Sequence, residues 1–407
     1  MKKILIFIVL YFSLIFNVNA LDIKSNNAVL YNLNDDTIVF SKNAHEITKI
    51  ASLTKIMTTI VAIENIEDLN KTVTMTSDMF KGLYEENAYQ IGLRVGDVVT
   101  YKDLLYATFI ASGADATRGL TLSLTNSEEE FVKLMNDKAN EIGLTNTYFT
   151  NPIGLDEDGQ KSTVDDVAKL LKYALKNETF KNIINTKSYQ INNLTVYSSL
   201  HKTGDYYNID TSFITGGKTG YTLEAGRCLA SIATDTENNI NYLLVTTNAS
   251  NTPDHILDAH DIYKYYFQNY KYHTILKKGT DLVDIKVIDS NIKNIKFKAQ
   301  KNITKYLDNT FNINNVKIKY DGLDILSYKN KKGEKVGTIK LIYNNEVIDK
   351  FDIILDTEIK FNLFVYIFAN SLRRTIFFGF VLLIMFIVII KRKKTTNDYN
   401  TFKVHTK

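Results

Sequence analysis

Three short segments hold residue types that can do chemistry together. Ala51-Ser52-Leu53-Thr54-Lys55 puts a hydroxyl and an amine one helical turn apart at the head of an apolar stretch. A serine is a poor nucleophile until a base takes its proton, and a lysine serves as that base once burial or a second cation lowers its pKa. Phe213-Ile214-Thr215-Gly216-Gly217-Lys218-Thr219-Gly220-Tyr221 surrounds a Lys-Thr pair with glycines at a strand edge. Such an edge lets a ligand approach closely, and Lys218 and Thr219 suit an anionic group such as a carboxylate. Ala111-Ser112-Gly113-Ala114-Asp115-Ala116 lies in a central helical stretch. Ser112 suits a proton relay between the two lysines, and Asp115 a structural cap. A phosphate-binding P-loop is excluded, because its first glycine would fall where Ser212 stands.

The elements that must position these residues fall into two groups. Val29–Leu33 and Thr37–Phe40 flank Asp35-Asp36 and read as a hairpin. Helical spacing is expected over 47–64, 103–124, 128–142, 164–177 and 258–272, with Ser162 or Thr163 capping the fourth. Residues 228–233 and 241–247 read as buried strands joined by a charged turn. Strands that pair across a helical insertion imply an α+β unit over residues 21–272, an antiparallel sheet with helices packed on it. From 273 to 358 the chain turns to short alternating runs without helical periodicity, expected to form a small all-β spacer domain.

Both ends differ from the middle. Met1-Lys2-Lys3, the apolar run Ile4–Phe16 and Val18-Asn19-Ala20 have the layout of a secretory signal peptide over 1–20. Residues 375–390 carry no charge and precede Lys391-Arg392-Lys393-Lys394. This predicts a transmembrane helix with a cytoplasmic basic tail, 391–407, and the aromatic segment 359–374 at the outer interface. The catalytic unit would then be extracellular. A single cysteine, Cys228, excludes an intrachain disulfide, and 49 Lys plus Arg against 45 Asp plus Glu give no case for nucleic acid. Asp254, His255, Asp258, His260 and Asp261 cluster, but their spacing fits no standard metal-ligand set. His201 precedes the third segment, near the expected cleft; a structural role is favoured over contact with substrate.

In order and spacing, the three segments resemble the S-x-x-K, S-x-N and K-T-G set of the penicillin-recognising serine enzymes. The flanking segments Leu93–Asp97, Phe149–Asp156 and Ala225–Ala230 extend the resemblance to the D-alanyl-D-alanine carboxypeptidases, the low-molecular-mass penicillin-binding proteins of serine peptidase family S11. The resemblance covers about residues 22–272 and implies a β-lactamase/transpeptidase-like fold. It implies Ser52 as acylated nucleophile, Lys55 as general base and Ser112 as relay, with Lys218 and Thr219 on the substrate carboxylate. The backbone N–H groups of Ser52 and Tyr221 would form the oxyanion hole. Peptidoglycan stem peptides ending in D-Ala-D-Ala would be substrates and β-lactams inhibitors, with no cofactor and no metal. Two departures stand out. Ala114 occupies the position of the family's asparagine, and no arginine lies between Ser231 and Tyr272. The first motivates an alternative, a degenerate penicillin-binding domain that binds wall peptides or β-lactams without efficient turnover. A class A β-lactamase is disfavoured, since no E-x-x-L-N pattern follows the second segment.

Overall fold

A computed structural model describes residues 21–404; the expected signal peptide lies outside the described residues. The chain divides into two compact units between Asn269 and Tyr270.

In the first unit, β1 (Asn27–Asn32) and β2 (Thr37–Lys42) form the expected hairpin. A single turn of 3-10 helix, Ala51–Leu53, leads into α1 (Thr54–Asn65). The short pair β3 (Thr72–Thr74) and β4 (Val98–Thr100) precedes α2 (Tyr101–Ile110), α3 (Ala114–Leu124), α4 (Glu128–Ile142), α5 (Val164–Ala174) and α6 (Glu178–Ile184). A second small hairpin, β5 (Ser188–Ile191) and β6 (Leu194–Tyr197), is followed by α7 (Ser199–Tyr206). β7 (Ile214–Thr222), β8 (Gly226–Asp235), β9 (Ile240–Ala249) and α8 (Asp254–Asn269) complete the unit. The main sheet is antiparallel in the order β2-β1-β9-β8-β7, so the chain's first hairpin and last strands meet across the helical insertion.

Both faces of the central strands are covered, so β8 and β9 read as continuous apolar runs rather than alternating ones. Val29, Leu243 and Val245 join the core built by α1 to α6. On the opposite face, Tyr242 meets Tyr263 and Phe267 of α8, and the Tyr263 hydroxyl donates to the Ser231 carbonyl at 3.0 Å. Thr163 accepts from the Asp166 N–H at 3.0 Å, capping α5 as its sequence position suggests.

The stretch 103–124 is not one helix, as its periodicity suggests, but two. α2 ends at Ile110 and α3 begins at Ala114, with Ser112 between them at φ +67°. Apolar spacing continues across the break, so periodicity carries no signal of it. The helix placed at 258–272 runs from Asp254 to Asn269, and strand follows at Tyr270.

Apart from one 3-10 turn, Ile313–Asn315, the second unit is built of β-strands up to residue 354. β10 (Tyr270–Leu276) pairs with β13 (Ile303–Asp308). β11 (Asp281–Val287) lies between β12 (Asn294–Lys298) and the short β15 (Ile325–Leu326). β16 (Lys335–Tyr343) lies between β14 (Lys317–Gly322) and β17 (Glu346–Ile354). Ile285, Leu326, Ile339, Leu341 and Leu355 form its core. Then come a short helix, α9 (Leu363–Phe368), and α10 (Ser371–Val404). Ser371–Lys393 of α10 is long and apolar enough to cross a membrane. Arg373, at its start, is held against Tyr366 with its guanidinium 3.8 Å from the ring centre and 3.5 Å from Asp289.

The N-terminal segment is fastened to α8 by one carboxylate. Buried Asp258 accepts from the Lys24 N–H at 2.8 Å, the Ser25 N–H at 2.7 Å and the Ser25 hydroxyl at 2.6 Å. Removing it strands three donors. Asp258→Ala is expected to destabilise the first unit by about 3 kcal/mol. At ~2–4 °C per kcal/mol, its calorimetric transition should fall by ~6–12 °C.

Candidate active site

Ser52 and Lys55 sit where the 3-10 turn passes into α1. From Ile50 to Ala62 every residue is buried except Ser52, which is half-exposed. The helix thus presents one hydroxyl to solvent from an otherwise enclosed surface. The Lys55 amine donates to Ser52 Oγ at 3.1 Å and to the Ile153 carbonyl at 2.6 Å, and only 1% of the residue is exposed. Burial lowers its pKa from 10.5 to about 7, against the opposing pull of Asp115. At neutral pH about half of such amines are unprotonated, roughly a thousandfold more than for a lysine in water.

The loop carrying Ile153 is shaped to deliver that carbonyl. Asn151 Oδ1 accepts from the Gly154 and Leu155 N–H groups at 2.7 and 3.1 Å, and Thr58 donates to the Pro152 carbonyl at 2.6 Å. Gly154 has φ +84°, and a Cβ there would stand 2.1 Å from the Ala51 carbonyl oxygen. Ala51 itself has φ +47°, a strained value for alanine held by this close contact. The matched segment Phe149–Asp156 therefore has a mechanical role that its sequence alone does not disclose.

β7, the edge strand, closes the other side. A Cβ at Gly220 would lie 2.9 Å from the Ser52 nitrogen, so only glycine lets strand and helix approach so closely. Period-two alternation separates the next two residues. Thr219 and Tyr221 line a cavity of about 620 Å³ together with Ser52, Lys55 and Ser112. Lys218 is fully buried, is not in the cavity wall, and donates to the Thr219 carbonyl at 2.7 Å. Burial and the adjacent Lys55 push its pKa well below the usual lysine value.

Ser112 lines the cavity from the break between α2 and α3. Asp115 acts as the expected cap in an unexpected direction: its carboxylate accepts from the N–H groups of Ile91, Gly92 and Leu93, each at 3.1 Å. That fixes the loop whose Tyr89 and Ile91 form part of the wall. Ala114 also lines the cavity and packs with Leu83 and Ile153, presenting no amide to Lys55. His201 is buried, bonded to Thr211 at 3.1 Å, and outside the cavity wall. The histidines and acids after residue 253 diverge. Asp258 holds the N-terminal segment, His260 meets Asp261 at 2.7 Å, and His255 turns into the cavity. Arg227 and Tyr197 also line it, and neither carried a signal in sequence.

A serine paired with a buried lysine of lowered pKa beside an edge strand has the parts that acyl transfer requires. The family model described as D-alanyl-D-alanine carboxypeptidase, Peptidase S11, matches residues 15–251. The chain belongs to this family. The model of the penicillin-binding protein 5 C-terminal domain matches residues 270–360, in the second unit. The D-alanyl-D-alanine carboxypeptidase DacF of Bacillus subtilis is 30% identical over 326 residues, 80% of this chain and 83% of that protein. The DD-transpeptidase of Streptomyces K15 superposes with a TM-score of 0.55 at 28% identity, covering 60% of this chain and 97% of that one. Penicillin-binding protein 5 of Haemophilus influenzae shares the fold at 23% identity and a TM-score of 0.61, covering 83% and 98%. The S11 chain described here is a serine-type D-Ala-D-Ala carboxypeptidase by family.

Because burial has lowered the Lys55 pKa to about 7, its proton should leave as pH rises through neutrality. Titration of the lysine side-chain carbons by NMR should show one resonance with a midpoint near 7, absent in Lys55→Ala. A midpoint near 10 would mean that the amine is solvated.

Proposed function

We propose that the protein removes the terminal D-alanine from peptidoglycan stem pentapeptides through an acyl-enzyme on Ser52. The observation that carries this is the 3.1 Å contact between Ser52 Oγ and a Lys55 amine with a pKa of about 7. Lys55 takes the hydroxyl proton as Oγ attacks the carbonyl carbon of the penultimate D-Ala. The backbone N–H groups of Ser52 and Tyr221 stabilise the oxyanion, a role favoured by the close approach of Gly220 to the Ser52 nitrogen. The C–N bond then breaks, and the departing amine takes a proton from Lys55, relayed by Ser112. Water attacks the Ser52 ester, returning the hydroxyl and freeing the shortened peptide. Thr219 and Tyr221, which line the cavity, meet the substrate, and the buried Lys218 stands behind Thr219. A β-lactam carbonyl acylates the same Ser52 oxygen.

The signal-like N-terminus and the apolar helix Ser371–Lys393 support an exported enzyme on a single C-terminal anchor, its catalytic unit facing the wall. A second reading has one specific observation behind it. With Ala114 in the cavity wall, the amide that resemblance leads one to expect is missing, which favours a site that is acylated but turns over slowly.

Incubation with benzylpenicillin should give one penicilloyl adduct by intact mass. Ser52→Ala should give none, and Lys55→Ala should slow its formation by about 10²–10⁴-fold. The acylation rate should fall as pH drops below 7, where Lys55 holds its proton. Release of D-alanine from diacetyl-Lys-D-Ala-D-Ala separates the two readings: turnover supports the carboxypeptidase, and an adduct without turnover supports the binding domain.

A further inference from the structure

The second unit carries an exposed apolar tip at the end where α10 leaves it. β15 runs parallel to β11, with Ile325 opposite Lys286 and Leu326 opposite Val287. Leu326 is buried in the core of the unit, so strand alternation turns Ile325 outward, where it is 51% exposed. Ile288 comes two residues after Lys286, is exposed, and donates its N–H to the Leu326 carbonyl at 2.9 Å. Leu323 and Tyr328, on either side of β15, are exposed as well. Apolar side chains gathered in this way, unlike scattered ones, signal a surface with a partner. Lys329, Lys331 and Lys332 follow at once, all exposed, and Asp324 is the acid among them.

The same end holds the start of α10. Tyr328 meets Phe361 with ring centres 4.8 Å apart, and Phe361 meets Tyr366 at 5.5 Å. Asn362 donates its backbone N–H to the Asp289 carbonyl at 2.9 Å and its side-chain amide to Asn291 at 2.7 Å. Arg373 completes the set, 3.5 Å from the Asp289 carboxylate. From Arg374 to Ile390 no residue of α10 is buried, so the helix runs away from the strands and does not pack on them. Its uncharged run begins at Thr375, only ~3 Å of helical rise past Arg373. A headgroup layer is about 5–7 Å deep. When α10 spans a bilayer, Asp289 therefore lies at headgroup depth, and Ile288 is its chain neighbour.

We infer that the tip of β11 and β15 is a second membrane contact, separate from the helix: Ile288, Leu323, Ile325 and Tyr328 enter the bilayer surface around α10, and Lys329, Lys331 and Lys332 lie among anionic headgroups. Lipid is the occupant because the tip is continuous with the span through Phe361 and Arg373. Apolar side chains beside lysines also match the chemistry of the boundary between acyl chains and anionic headgroups. The second unit then stands on the membrane by its strand ends and is more than a spacer. This rests on the reading of α10 as a membrane anchor.

The chain has no tryptophan, so a single introduced one reports its own surroundings. Full-length chains carrying Ile325→Trp, Ile313→Trp or Phe378→Trp are placed in vesicles of phosphatidylethanolamine and phosphatidylglycerol, with or without bromine on the acyl chains, and tryptophan emission is read. Ile313 is exposed before the far end of β14, at least ~17 Å of strand from Leu323. Phe378 lies within the uncharged run of α10. At the ~5–10 Å depth of an interfacial side chain, Ile325→Trp should lose about half its emission to bromine near the headgroups. Ile288→Trp should give the same result, which guards against one variant that disturbs its strand. Ile313→Trp should keep its emission, and Phe378→Trp should be quenched by bromine deeper in the chains. Quenching of Phe378→Trp without Ile325→Trp and Ile288→Trp would overturn the inference and leave the anchor standing. Quenching of none would overturn both. Equal quenching of Ile313→Trp and Ile325→Trp would show adhesion without a tip, and would also overturn it.

Discussion

Two buried lysine side chains, near enough for the charge of one to act on the other, set the terms for everything around them. Lys55 and Lys218 are almost wholly shielded from water, and among the described residues neither has a carboxylate within ion-pair distance. An ammonium in such a place is costly, so the site lowers both pKa values instead of neutralising a charge with an acid. The acid that acts on Lys55 is Asp115, and its oxygens are already committed to backbone N–H groups of residues 91–93. A fully paired aspartate would have stabilised the folded state more and left Lys55 protonated at neutral pH. The unfavourable burial is what lowers the Lys55 pKa.

That burial needs a rigid frame, and the frame is built from close backbone contacts. Gly154 presses on Ala51, Gly220 on Ser52, and Ala51 and Ser112 both adopt positive φ. Each is a strained or crowded arrangement that a looser fold would relax. The α2–α3 break at Ser112 belongs to the same frame. A continuous helix would carry the hydroxyl round with the helical turn, whereas the break presents it at the wall. Small side chains at 51, 114, 154 and 220 let three segments converge on one oxygen.

Much of this was legible in the residues. The hairpin read at 29–40, the strands read at 228–233 and 241–247, and the cap at Ser162 or Thr163 follow from alternation, turn chemistry and capping preference, which are local properties. The three chemical segments were legible because their residue types are unusual in combination. What stayed hidden depends on direction. The break at Ser112 leaves apolar spacing intact, so periodicity reads through it. The Ile153 carbonyl is a backbone atom and has no sequence identity at all. Arg227 and His255 reach the cavity only because β8 and α8 lie beside β7, a tertiary fact. Lys218 and Thr219 read as one anion-binding pair, yet strand alternation sends them to opposite faces.

That separation leaves Lys218 on the buried side of the strand, where desolvation and the charge of Lys55 both lower its pKa. A charge on one lysine thus makes a proton on the other costlier. Among the described residues no aspartate or glutamate lines the cavity beside them. An acid placed there would pull the other way and raise the Lys55 pKa again, as Asp115 does more weakly from outside the wall.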